Sequence, residues 1–162
     1  AQSLRARFHQ PLLAETFLSG REFTLGILGT GKGADAIAVM EVVLLETADA
    51  EIYSFDNKEL CETRVSYCLA QDPEALEAKR VALAAYRALG CRDAARIDLR
   101  SDQNGMPHFL EVNTLAGLHP THSDLPILSA KAGLEYDGLI GAIIASAALR
   151  CGLDEEALVA TA

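Results

Sequence analysis

Two alternating segments on either side of an Asn-Gly pair constrain the fold of this chain more than any other feature. Residues 95–101 and 108–114 alternate apolar and polar side chains and flank Asn104-Gly105. Asn-Gly is a preferred centre for a two-residue hairpin turn because both residues tolerate positive φ. The sequence therefore predicts an antiparallel hairpin. Its register pairs Gln103 with Met106, Asp98 with Glu111, and Arg96 with Asn113.

Successive side chains of a strand point to opposite faces, so this register gives the hairpin two unlike faces. The predicted apolar face carries Ile97, Leu99, Leu110 and Val112. The predicted polar face carries Arg96, Asp98, Arg100, Glu111 and Asn113.

Asp98 and Glu111 would repel each other across the hairpin unless a positive charge lies between them. Arg96 and Arg100 could supply that charge, which would make the face a solvated ladder of ion pairs. Alternatively, Mg²⁺ could bind there, because it prefers oxygen ligands such as two carboxylates and the Asn113 amide. The spacing leaves both interpretations open.

Composition favours one globular domain, residues 1–162, without a nucleic-acid surface. The net charge is −9, tryptophan is absent and no Lys/Arg cluster occurs. An acidic protein can still bind ATP if divalent metal ions supply local positive charge. The apolar runs 39–45 and 139–149 are too short to span a membrane. Four cysteines without C-x-x-C spacing are interpreted as reduced core thiols, which favours a soluble, cytoplasmic protein.

Local patterns predict strands followed by helices without regular alternation, which is typical of an α+β fold. Asp72-Pro73 is a typical helix start and Gly90 a typical stop. The predicted strands are 12–17, 22–28, 36–45, 64–69, 95–101 and 108–114, and the predicted helices are 3–10, 73–89, 127–132, 136–150 and 154–160. Residues 50–62 and 115–126 are predicted loops, and 29–33 is predicted to be a hairpin turn and not a phosphate-binding loop.

Several of these segments together resemble the carboxy-terminal part of the D-alanine–D-alanine ligase family, within the ATP-grasp superfamily. The matching segments are Glu15 to Leu18, Gly20 to Gly26, Arg96-Ile97-Asp98, Glu111 to Gly117, His122-Ser123 and Leu125-Pro126. The resemblance implies an ATP-grasp carboxy-terminal subdomain, with a mainly antiparallel sheet flanked by helices. It also implies an ATP-dependent carboxylate–amine ligase that forms a dipeptide of D-alanine through an acyl phosphate, in peptidoglycan synthesis.

The resemblance assigns roles residue by residue. Glu15, Thr16, Phe17 and Leu18 would contact adenine, Glu22 the ribose, and Lys58 the phosphates. Asp98, Glu111 and Asn113 would hold two Mg²⁺ ions, for which Mn²⁺ could substitute. Arg96 and the Gly117 N–H would stabilise the acyl-transfer intermediate, and Ser123 would bind the carboxylate of the second amino acid. His119 and His122 would lie in the active-site loop without binding metal.

The chain also departs from the family pattern. Ser54, Phe55 and Glu59 replace the usual loop residues, and Ala116 replaces proline, so another amino-acid pair is an alternative substrate set. The family's amino-terminal and central domains have no counterpart here, and the chain starts at Ala1 within a predicted helix. We therefore expect a fragment that is inactive alone. A non-catalytic nucleotide-binding or assembly module is the other alternative, and helix 73–89 could support a homodimer.

Overall fold

The computed structural model describes residues 2–44 and 65–153 as a five-stranded sheet with helices on both faces. All strand pairs are antiparallel and the order is β3-β2-β1-β4-β5. The strands are β1 (Glu22–Leu28), β2 (Asp35–Leu44), β3 (Val65–Leu69), β4 (Ala94–Ser101) and β5 (Pro107–Asn113). The helices are α1 (Gln2–Phe8), α2 (Pro73–Ala88), α3 (Asp124–Lys131) and α4 (Tyr136–Cys151), with a 3₁₀ turn at Gly31–Gly33. The predicted α+β fold is confirmed.

Helix α2 covers one face of the sheet and forms the main core. Its buried residues recur at helical spacing, so they form one stripe against β1 and β4. The stripe consists of Ala75, Ala78, Ala82 and Tyr86. Asp72 caps the helix as predicted and accepts hydrogen bonds from the backbone N–H groups of Glu74 and Ala75. Burial raises the pKa of Tyr86 to about 12, so its hydroxyl stays protonated and donates to the Gly29 carbonyl at 2.8 Å.

Helices α3 and α4 pack against the opposite face, which carries the polar side chains of β1 and β4. Gly26 of β1 allows this packing, because a Cβ there would lie 2.6 Å from Leu125 Cδ1 and 3.2 Å from Leu128 Cδ2. The missing side chain lets α3 lie directly on the sheet. The amino end of α3 consequently reaches the polar face.

The β4–β5 hairpin confirms the central register but not the predicted turn. Arg96 pairs with Asn113, and Asp98 pairs with Glu111. However, the connection is a three-residue loop, in which Asp102 N–H donates to the Met106 carbonyl and Gly105 has φ +74°. Met106 thus faces Asp102 and not Gln103.

The three-residue loop shifts the pairing of β4 and β5 by one residue from the predicted register, and a bulge in β5 cancels this shift. Leu99 pairs with Phe109 while Asp98 pairs with Glu111, so Leu110 is the extra residue. Leu110 is 48% exposed, and its predicted place on the buried face is wrong. The Asp102 side chain explains the turn, because it accepts hydrogen bonds from the N–H groups of Asn104 and Met106.

Other sequence predictions were wrong in detail. Residues 12–17 form no strand but an exposed segment without regular secondary structure. Helix α3 begins at Asp124, earlier than predicted, because Ser123 takes the N-cap position. Among the described thiols only Cys91 is buried; Cys68 and Cys151 are free and exposed. The predicted loop 50–62, helix 154–160 and Cys61 lie outside the described residues. That residues 1–162 form one domain, and that α2 supports a homodimer, stay predictions.

Within ranges 2–44 and 65–153, no single helix has the length and apolarity to cross a membrane. Helices α3 and α4 pass that test only when taken together, and they are bent by 109° at their junction.

Candidate active site

A row of polar cross-strand pairs on β1 and β4 lies on the same face of the sheet as α3. Glu22 pairs with Arg100 and Thr24 pairs with Asp98, while Gly26 pairs with Arg96. Arg100 and Arg96 are four residues apart on β4, or about 13 Å at the rise of a strand. The row therefore has two ends, one at Arg100 and one at Arg96.

Asp98 is the most buried carboxylate of this row, with 9% of the residue exposed. Its Oδ1 accepts hydrogen bonds from Thr24 Oγ1 at 2.7 Å and Arg96 Nε at 3.1 Å. Its Oδ2 accepts from Arg96 Nη2 at 2.9 Å. A charge that has lost most of its water is thus satisfied by charge-assisted bonds.

Glu111 lies on the same side of the sheet as Asp98. Its Oε1 is 3.5 Å from Arg96 Nη2, the nitrogen that also contacts Asp98. The Glu111 side chain is 59% exposed, so this carboxylate borders the open face. The two acidic groups thus converge, as the hairpin register predicted.

Asn113 ends β5 opposite Arg96, and its Oδ1 accepts a hydrogen bond from the Leu115 N–H at 3.1 Å. This bond orients the amide where the chain leaves the sheet. Asp98, Glu111 and Asn113 supply hard oxygen donors of the kind that Mg²⁺ or Mn²⁺ binds, and one carboxylate is accessible. The chemistry of this donor set is compatible with a divalent cation. Among the described residues no cluster of three or more His, Cys, Asp or Glu side chains has metal-binding geometry.

Arg96 supplies the positive charge between the carboxylates. Its Nη1 donates to Asp124 Oδ2 at 3.0 Å, and the side chain is only 14% exposed. Burial by itself would lower the pKa of Arg96, but the carboxylates of Asp98, Asp124 and Glu111 outweigh it and hold that pKa above its ordinary value. The guanidinium therefore remains charged.

The loop between β5 and α3 brings Gly117 against Ser123. A Cβ on Gly117 would lie 2.5 Å from Ser123 Oγ, so a larger residue would force the Ser123 hydroxyl from its place. Ser123 Oγ accepts a hydrogen bond from the His119 N–H at 3.0 Å. The His119 and His122 rings lie with centroids 4.7 Å apart in this exposed loop.

The segment Glu15 to Leu18 lines a cleft of about 570 Å³ at the Arg100 end of the row. The opposite wall comes from the β4–β5 hairpin, including His108 and Leu110. Arg100 Cζ lies 5.3 Å from the centre of the Phe17 ring, and Arg100 Nη1 is 3.3 Å from Glu22 Oε2. Glu22 thus contacts Arg100, which lines the same cleft as the predicted adenine-contacting residues.

The structure brings most of the predicted site residues to one face of the sheet. Arg96, Asp98 and Glu111 are in direct contact, and Gly117 lies against Ser123. Lys58 and the substituted loop positions Ser54, Phe55 and Glu59 lie outside the described residues. Their assigned roles stay predictions.

Three contributors to this face were not predicted from the sequence: Thr24, Arg100 as part of the cleft, and Asp124. The alternation of β1 could have indicated Thr24, since it shares a face with Glu22. Asp124 was missed because the predicted loop extended to Pro126.

The sheet has five antiparallel strands, and its polar face carries a cleft at one end and the buried Arg96 at the other. This architecture is that of the carboxy-terminal subdomain of the ATP-grasp fold. The structure of D-alanine–D-alanine ligase from Bacillus anthracis in complex with ATP is similar, with a TM-score of 0.62 and 28% identity, over 85% of this chain and 40% of that one. The enzyme from Coxiella burnetii shares the fold at 21% identity, with a TM-score of 0.64, over 84% of this chain and 34% of that one.

Sequence comparison defines the family more narrowly. D-alanine–D-alanine ligase of Bordetella petrii is 37% identical over 147 residues, which cover 90% of this chain and 44% of the relative. The family model described as "D-ala D-ala ligase C-terminus" matches residues 2–145. The chain belongs to this family, and it spans less than half the length of the curated relatives that it matches.

Proposed function

We propose that this chain is the nucleotide- and metal-binding part of an ATP-dependent carboxylate–amine ligase that joins two D-alanine molecules. The observation that carries the proposal is the convergence of Asp98 and Glu111 on one arginine of the open polar face. Family membership supports the reaction type, and the names of the relatives support D-alanine as the substrate. An enzyme of this kind uses ATP and supplies peptidoglycan synthesis in the cytoplasm.

The cleft at the Arg100 end is the proposed adenine and ribose site. Its wall of Glu15 to Leu18 offers backbone groups and the Phe17 ring. Glu22, which contacts the cleft residue Arg100, would offer a carboxylate for the ribose hydroxyls. Arg96 lies about 13 Å further along β4, which leaves room for a triphosphate between the two ends. The nucleotide would lie along this row.

Asp98, Glu111 and Asn113 are the proposed holders of Mg²⁺. A bound cation would neutralise charge on the β- and γ-phosphates, which is the main requirement of phosphoryl transfer. Glu111 is the most accessible of the acidic groups, so it can turn toward a ligand on the open face. Thr24 keeps Asp98 oriented, since its hydroxyl bonds Oδ1 from the neighbouring strand.

Acyl transfer is proposed at the Arg96 end. The first carboxylate takes the γ-phosphoryl group and releases ADP; the amine of the second amino acid then attacks and phosphate leaves. Attack gives a tetrahedral oxyanion, which Arg96 and the Gly117 N–H would stabilise as preorganised donors. Ser123 Oγ would hold the carboxylate of the second amino acid.

The test is phosphate release and dipeptide formation by the complete gene product with ATP, Mg²⁺ and D-alanine. We expect the wild type to form D-alanyl-D-alanine, and Glu111→Gln to lose phosphate release while it remains folded. Glu135→Gln is the matched control, because Glu135 is exposed at the start of α4, away from the polar row. Activity only with other amino acids would move the assignment to a related ligase, and absence of any turnover would favour a non-catalytic module.

A further inference from the structure

Asp124 bridges two strands from the first turn of α3. Its Oδ2 accepts from Arg96 Nη1 of β4 at 3.0 Å, and its Oδ1 accepts from the Tyr67 hydroxyl of β3 at 3.0 Å. The side chain is 13% exposed. Both carboxylate oxygens are therefore committed to partners in a largely dry environment.

The Arg96 guanidinium donates hydrogen bonds to two carboxylates on different sides of it. Nε and Nη2 bond Asp98, whereas Nη1 bonds Asp124. Because the guanidinium is a rigid planar fork, both sides together fix its position and its tilt. Asp124 provides the anchor that does not belong to the proposed metal ligands.

Without that anchor, the remaining carboxylates near Arg96 would be Asp98 and Glu111. These are the groups that the proposed divalent cation needs, so the arginine and the cation would compete for them. An anchored guanidinium can stay beside the site while a cation takes the oxygens of Asp98 and Glu111. The charge of Asp124 therefore bears on both metal binding and the placement of Arg96.

We propose that Asp124 is a positioning residue that holds Arg96 between the metal-binding carboxylates and the loop that carries Ser123. The inference rests on the proposed function, in which Arg96 stabilises the acyl-transfer oxyanion. Ser123 and Asp124 are consecutive, so the same helix end presents the substrate-binding hydroxyl and fixes the arginine. Gly26 supports this placement by letting α3 lie directly on β1.

The test is a double-mutant cycle of Asp124→Asn and Arg96→Gln in the complete gene product. Two quantities are followed: the dissociation constant of Mn²⁺ alone, from the electron paramagnetic resonance of the free ion, and kcat and KM with ATP and D-alanine. Asp137→Asn is the matched control, since it removes an exposed acidic group from the first turn of α4. This control measures the effect of removing a negative charge from a helix amino terminus away from Arg96.

We expect Asp124→Asn to weaken Mn²⁺ binding about 10-fold, as loss of a supporting carboxylate typically does. A displaced catalytic arginine should lower kcat about 100-fold. KM for ATP should change little, because the nucleotide cleft lies at the other end of the row. In the Arg96→Gln background the same substitution should change Mn²⁺ binding by less than about twofold, the usual limit of additivity.

Equal effects of Asp124→Asn in both backgrounds would overturn the proposal, as would a loss confined to KM for ATP. Tyr67→Phe provides a second variant if Asp124→Asn does not fold. It removes one hydroxyl that orients Asp124, and it should act in the same direction and only when Arg96 is present. A wild type without D-alanine-dependent phosphate release would overturn the proposed function, and the Mn²⁺ cycle would still decide whether Asp124 acts through Arg96.

Discussion

Thr24→Val tests the bond that holds the buried carboxylate of the polar row. Thr24 is 3% exposed, and its Oγ1 donates to Asp98 Oδ1 at 2.7 Å. Valine has nearly the same shape and keeps the β-branch that suits a strand, so the hydroxyl is the main loss. The perturbation therefore isolates one charge-assisted hydrogen bond.

Its magnitude follows from what Asp98 retains. Hydrogen bonds to charged groups contribute roughly 1.5–3 kcal/mol. Asp98 keeps two bonds from Arg96, so we expect the lower part of that range, about 1.5–2 kcal/mol. In a cooperative unit of about 150–250 residues, that loss corresponds to a fall in the thermal midpoint of about 3–8 °C, and in a larger unit to less.

The assay is urea and thermal unfolding of the complete gene product, together with hydrogen exchange of the β1 and β4 amides. Thr24→Ser is the matched control, because it keeps the hydroxyl and removes the methyl group. We expect Thr24→Ser to retain most of the stability that Thr24→Val loses. A valine variant as stable as the wild type, or a serine variant that loses as much as valine, would refute the reasoning.

Two further predictions concern the loop and the α2 cap. Gly117→Ala should lower kcat about 100-fold with little change in the thermal midpoint, because its Cβ would lie 2.5 Å from Ser123 Oγ; wild-type turnover would contradict this close approach. Hydrogen bonds from Arg21 lower the pKa of Asp72 from 3.8 to about 2, so its stabilising effect is complete above pH 3.8 and is lost as the pH falls through about 2. The urea midpoint of Asp72→Ala should be lower than that of the wild type at neutral pH, and the two midpoints should converge as the pH falls from 3.8 to about 2. Midpoints that differ by the same amount at every pH would contradict a stabilising role for the Asp72 charge.

In the β4–β5 hairpin the predicted register is correct although the predicted turn is wrong. The Asn-Gly pair suggested a two-residue turn, but the Asp102 carboxylate binds the backbone of Asn104 and Met106 and stabilises a longer loop. The bulge at Leu110 removes the resulting offset of one residue. The pairing of Asp98 with Glu111 was predictable because a one-residue slip would turn one of the two carboxylates toward the core.

The segment 12–17 illustrates the opposite case. Its apolar residues suggested a strand, yet it makes no ladder, and its residues Glu15 to Phe17 line the cleft. A short apolar run carries no information about which surface it will meet. The adenine-contacting role proposed for Glu15 to Leu18 therefore rests on the family resemblance and not on the local pattern.

The sequence by itself determined the five strands of the sheet, the capped helix α2 and the presence of two acidic groups on one face, because alternation and capping are local properties. Tertiary structure decided which groups complete the site. Thr24 reaches Asp98 from another strand, and Asp124 reaches Arg96 from a helix that Gly26 admits to the sheet. These contacts join residues that are distant in the chain. The alternation of apolar and polar residues along a strand indicates the face on which a residue lies, but not which helix or strand packs against that face.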